Sequence, residues 1–109
     1  MSRYFIDRSG GTRRTIFPGV EILTAACERM MLSHVEFQPG AVVEAHSHPH
    51  EQVGMVLAGR ARFIIGDEER VLGPGDMYRI PGGVEHRVVA LDEGLTALDV
   101  FHPVREDYL

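Results

Sequence analysis

The chain has 109 residues, 44% of them apolar, and a net charge of −5. That length supports one domain with its own core, read here as residues 1–109. The acidic balance argues against a nucleic-acid surface, and no run approaches the ~18 apolar residues of a membrane span.

The charged stretch Met1–Gly10 has no apolar segment of the kind a signal peptide carries, so a cytoplasmic location is expected. Cys27 is alone and forms no internal disulfide; a reduced, partly buried small residue is expected there. Residues 1–12 are polar and are expected to be loosely ordered or to swap onto a partner. Val20–Ala26 and Arg29–Phe37 read as strands, the second ending at the turn signal Gln38-Pro39-Gly40. Val42–His48 is the next strand, with Pro49 ending it. Val53–Leu57 and Arg60–Ile65 flank Ala58-Gly59, read as a compact hairpin. Gly66-Asp67 begins a turn before Arg70–Leu72, and Gly73-Pro74-Gly75-Asp76 is a strong turn. Met77–Ile80, His86–Leu91 and Leu95–Phe101 complete the set, with Asp92-Glu93-Gly94 as a turn. Short strands punctuated by glycine and proline point to an all-β sandwich or barrel, whose interior can hold a small ligand.

Within that frame the segment Gly40-Ala-Val-Val-Glu-Ala-His46-Ser-His48-Pro-His50-Glu-Gln52 carries the densest chemistry. Side chains alternate along a strand, so His46 and His48 share a face and can reach one ion. Neutral imidazole is the commonest transition-metal ligand. Gln52 offers an uncharged amide oxygen. His86, far along the chain after Pro81-Gly82-Gly83, closes the site from another strand. The expected ligands are therefore His46, His48, Gln52 and His86, around a divalent transition ion (Zn, Ni, Fe, Mn or Cu). His50 is expected beside the site or exposed, His34 in the core or at the surface, and Glu44 and Glu51 in solvent.

In Leu95–Phe101 the residues Leu95, Ala97, Asp99 and Phe101 share one face, and Thr96, Leu98 and Val100 the other. Both faces are mostly apolar, so Asp99 is expected to be buried and must be paired, hydrogen-bonded or protonated. Two readings follow. Asp99 is structural, in an ion pair with Arg105 or capping the strand end. Alternatively, Asp99 is an acid/base, Phe101 a wall, and Arg105 a fork for a substrate carboxylate.

The spacing of Gly40, His46, His48, Gln52 and Gly59, followed by Gly75, Pro81, Gly83 and His86, resembles the two motifs of the cupin superfamily over roughly residues 28–101. Gln52 stands where the family usually has Glu, and Ala90 where it has Asn. The resemblance implies a cupin β-barrel, a double-stranded β-helix or jelly roll, with a three-histidine, one-glutamine metal site. The tail Asp99-Val-Phe101-His-Pro-Val-Arg105 is similar to that of small cupins in the pectin and alginate pathways that linearise unsaturated uronates. In those an Asp, a Phe and an Arg at these offsets line the cavity beside the metal. His102-Pro103-Val104 departs from their more usual Ser-Pro-Pro. The resemblance also implies a homodimer, with the N-terminal segment or the Thr96, Leu98 and Val100 face as the contact.

The leading expectation is a metal-dependent enzyme converting a small carboxylated sugar such as a 4,5-unsaturated uronate. A dioxygenase, another isomerase or cyclase, and a non-catalytic binding cupin are the alternatives, because one barrel hosts many chemistries.

Overall fold

The computed structural model describes residues 2–109; Met1, included in the single-domain reading, lies outside them. Eight antiparallel strands are present among the described residues: β1 (Thr12–Phe17), β2 (Val20–Ala26), β3 (Met31–Phe37), β4 (Val42–His46), β5 (Glu51–Ile65), β6 (Glu68–Leu72), β7 (Met77–Ile80) and β8 (His86–His102). A single 3-10 turn, Glu106–Tyr108, follows β8.

The long strands β5 and β8 organise the barrel, because each serves two layers. Leu95–Phe101 of β8 pairs with β3 on one side and with the first half of β5 on the other, and β1, β2 and β7 extend that layer. His86–Ala90 of β8 pairs with β4 and with Ala61–Ile65 of β5, which in turn pairs with β6. Val20, Ile22, Val35 and Phe37 from one layer meet Val43, Phe63, Val88 and Ala90 from the other in one buried cluster. Alternation drives this: β3 buries Met31, Ser33, Val35 and Phe37 and leaves the residues between them more open.

Ala58-Gly59 is not a hairpin, and Asp92-Glu93-Gly94 does not end a strand. Both lie inside continuous strands, at register irregularities of the β5–β8 ladder. Gly59 and Gly94 have φ of 75° and 73°. A Cβ on Gly59 would fall 2.1 Å from the Gly94 carbonyl oxygen. These glycines let the two long strands bend together from one layer into the other, which is how a bulge acts. β1 was not foreseen, because Thr12–Thr15 are exposed and the segment is an edge strand with little apolar pattern. β4 stops at His46, so His48 stands just beyond it. Residues 2–11 contain no strand, and their Tyr4, Phe5 and Ile6 are exposed. Cys27, expected to be partly buried, is exposed. No helix among the described residues is long and apolar enough to cross a membrane.

Candidate metal centre

Strand pairing places His46, the last residue of β4, opposite His86, the first of β8. Their rings lie 4.3 Å apart. His48 is brought over them by the loop after β4, which the second motif holds in place. The Gly83 amide donates to the His48 carbonyl at 2.8 Å, and a Cβ on Gly82 would sit 2.4 Å from the Pro49 carbonyl oxygen. The glycines after Pro81 thus let one turn pack backbone to backbone against the histidine loop. As a result His46, His48 and His86 each present a ring nitrogen within 4.8 Å of the others, as a site that could hold a metal.

The ring orientations fit that role. Nδ1 of His46, His48 and His86 lies 2.9, 3.0 and 2.9 Å from the carbonyl oxygens of Glu44, His50 and Val84. A carbonyl only accepts, so each Nδ1 carries the proton and each Nε2 keeps its lone pair. Burial lowers the pKa of His48, and lowers that of His86 to about 4, so both rings are neutral near neutral pH.

Gln52, the second residue of β5, is buried with its Oε1 3.1 Å from His48 Nε2. Its amide also favours the charged form of the neighbouring Asp99, a donor's effect, which turns the NH2 toward that carboxyl and the oxygen toward His48. Two lone pairs therefore face each other, and a cation between them relieves the contact. Both atoms are thus placed where they would serve as ligands of one ion. The donor set of three imidazoles and an amide oxygen fits a divalent transition metal.

Asp99 lies on the same inner wall. It is in register with Gly54 of β5, which is in register with Tyr78 of β7. The Tyr78 hydroxyl reaches over Gly54 and donates to Asp99 Oδ1 at 2.5 Å. Burial pushes Asp99 up to about 6, against the Tyr78 and Gln52 donors and the Arg105 charge. Burial and the Asp99 charge also raise the pKa of Tyr78, so the phenol keeps its proton.

Arg105 does not form the ion pair with Asp99 that one of the two readings offered. Its Nη2 and Nε donate to Asp107 Oδ2 and Oδ1 at 2.8 and 3.3 Å. Its guanidinium carbon lies 3.9 Å from the Tyr108 ring centre and 5.3 Å from that of Phe101. Phe101 is buried, with its ring 5.8 Å from that of His48. His46, Gln52, His86, Asp99, Phe101 and Arg105 thus line one cavity.

His50 contributes its backbone carbonyl to His48 rather than its ring. His34 is half-buried, 3.9 Å from Glu36 and away from the cavity lining. Glu44 and Glu51 are exposed. Tyr78, Gly54, Asp107 and Tyr108 were not singled out in the sequence. A glycine inside an otherwise apolar strand was the available signal for Gly54, since it often marks a close approach. Ser33, in register with Asp99, lines the same cavity with a buried hydroxyl that has no hydrogen-bond partner among the described residues.

Comparison with known proteins agrees with the fold. The cupin domain model matches residues 33–101. The chain is 35% identical to the pectin degradation protein KdgF of Dickeya dadantii across the full length of both. The structure of KdgF from Halomonas sp. superposes with a TM-score of 0.88 at 31% identity, covering 99% of this chain and all of that one. An RmlC-like cupin from Shewanella frigidimarina gives 0.89 at 28% identity, covering 99% and 97%. Oxalate decarboxylase of Bacillus subtilis gives 0.84 at 26% identity, and there the chain matches 30% of the longer protein. By its matched domain and its full-length likeness to a pectin degradation protein, the chain belongs to the cupin family.

Proposed function

We propose that this cupin is a metal-dependent enzyme that linearises a 4,5-unsaturated uronate, a sugar acid of the kind released when a lyase cleaves pectin. The observation that carries the reading is the buried Asp99 carboxyl, held by Tyr78, in the same cavity as the histidine cluster. The full-length similarity to a pectin degradation protein supports the substrate class.

His46, His48, His86 and Gln52 would hold a divalent ion, which would supply Lewis acidity toward a substrate oxygen. Zinc, nickel, iron, copper and manganese all suit this set, and Mn(II) centres are described for oxalate decarboxylase of B. subtilis. Asp99 takes the proton of the anomeric hydroxyl. The C1–O5 bond breaks, leaving an aldehyde at C1 and an enol oxygen at C5. Asp99 then returns its proton to C4, and the C4–C5 double bond becomes a C5 ketone. The reaction is a net isomerisation and needs no electron acceptor. Tyr78 keeps the carboxyl aimed at the cavity. Phe101 excludes water on one side, and Arg105 receives the substrate carboxylate.

Gln52 also has a reason to be an amide. An amide can offer its oxygen to an ion and its NH2 to Asp99 at once, and a carboxylate cannot.

A second copy of the chain is proposed to cover the outer sheet face, where Val53, Met55 and Met77 are exposed beside Leu98 and Val100. A monomeric mass by light scattering at all concentrations would remove that part. The reaction itself is tested by running it in D2O. The reading expects one deuterium at C4 of a linear product, and a product that keeps its ring would overturn it.

A further inference from the structure

Arg105 lines the cavity with its side chain only 10% exposed. A guanidinium has five N–H donors and can present two different forks to a carboxylate, one from its side (Nε and Nη2) and one from its end (Nη1 and Nη2). Asp107 fills the side fork, accepting from Nη2 at 2.8 Å and from Nε at 3.3 Å. It does so from outside. Asp107 is 57% exposed and lies in a shallow outer groove with His50 and Glu28, while Arg105 lines the cavity itself. The Tyr108 ring covers one face of the guanidinium. Tyr108 is anchored in turn, because Thr24 Oγ1 donates to its carbonyl at 3.2 Å. One edge and one face of Arg105 are thus occupied by its own neighbours in the last turn, and the hydrogen bonds to Asp107 use Nε and Nη2 and leave Nη1 out.

We propose that Asp107 is a positioning residue: together with Tyr108 it turns Arg105 so that the end fork of the guanidinium faces the cavity and selects a ligand carboxylate. This rests on the proposed uronate reading, in which Arg105 receives the substrate carboxylate, and adds what holds it there. The C-terminal turn is then part of the recognition site. An arginine left to its own rotamers would spread its charge over many directions and lose much of its preference for a planar carboxylate.

The test uses the metal-loaded full chain and two non-reacting probes, galacturonate and its uncharged parent galactose, with binding followed by calorimetry. Wild type is expected to prefer galacturonate. Asp107→Asn should weaken galacturonate binding roughly three- to tenfold, as for the loss of one partly exposed ion pair, and leave galactose binding as it was. Asp107→Glu should recover part of the loss, and Tyr108→Leu should reproduce it. Glu106→Gln removes an exposed charge next door and should change neither probe, which separates positioning from a general charge effect. Unchanged galacturonate binding in Asp107→Asn, with the wild-type preference intact, would overturn the positioning role and leave the uronate reading standing. Tighter binding in that variant would also overturn it, by making Asp107 a competitor for the fork. No preference for galacturonate in wild type would overturn both readings.

Discussion

The Tyr78 hydroxyl donates to Asp99 Oδ1 at 2.5 Å over a glycine: Gly54 stands in register with both residues, on the strand between theirs. A Cβ on Gly54 would lie 2.3 Å from Asp99 Oδ1 and 2.4 Å from the Tyr78 hydroxyl oxygen, so the pair exists because that strand lacks a side chain there. The arrangement shields a carboxyl from solvent while leaving it a donor.

Gly54→Ala is expected to break this bridge. The added methyl overpacks a closed site, which costs ~1–3 kcal/mol of stability. Urea denaturation should show the lower midpoint, and turnover of the folded variant should fall with it. A variant that loses stability but keeps full turnover would detach the Tyr78–Asp99 contact from catalysis.

In the proposed mechanism, Gln52→Glu separates metal binding from proton transfer. A carboxylate at 52 adds negative charge to the ligand set, so metal affinity should rise, on the order of tenfold. It also removes the NH2 that faces Asp99 and puts a like charge beside it. Asp99 would then hold its proton more tightly and serve poorly as a base, lowering turnover by on the order of tenfold or more. Competition with a chelator and initial rates measure the two effects on one sample. A rise in both would contradict the assigned role of the amide.

Acid stability follows from buried groups of opposite sign. Burial holds His86 at about 4, below its ordinary 6.5, so its contribution to stability is present above pH 6.5 and is lost as pH falls toward 4. Asp99 is raised from 3.8 to about 6, so its contribution is present below pH 3.8 and is lost as pH rises through 6. His48 is also lowered by burial and acts with His86. The metal-free protein should therefore lose thermal stability between pH 7 and 4, with Asp99 softening the loss. Asp99→Asn removes the softening, and its melting temperature should fall more steeply over that range. Parallel slopes for the two proteins would show that Asp99 takes up no proton there.

The site was more legible in the sequence than the strand boundaries. His46, His48, His86 and Gln52 could be grouped because each lies beside glycine and proline residues at fixed offsets, and those residues force the turns. The alternation of Leu95–Phe101 correctly buried Asp99 and Phe101. Ala58-Gly59 and Asp92-Glu93-Gly94 misled because a bulge and a turn call for the same residues; only the partner strand, absent from local sequence, tells them apart. Tyr78 escaped notice because it is one aromatic in a four-residue strand, and its meaning comes from Asp99 two strands away. The Arg105–Asp99 pairing was a natural expectation for a buried carboxyl, but Asp107 is nearer in sequence and captures the guanidinium.

The most direct measurement follows the ultraviolet absorbance of 4,5-unsaturated galacturonate with three samples: metal-loaded wild type, chelator-treated wild type, and metal-loaded Asp99→Ala. Metal content is determined on each. Rapid loss of absorbance only in the first sample, restored to the second by adding metal back, is the expected result. Absorbance that decays no faster with metal-loaded wild type than in buffer, or equally fast with Asp99→Ala, would contradict uronate linearisation by Asp99 at this metal centre.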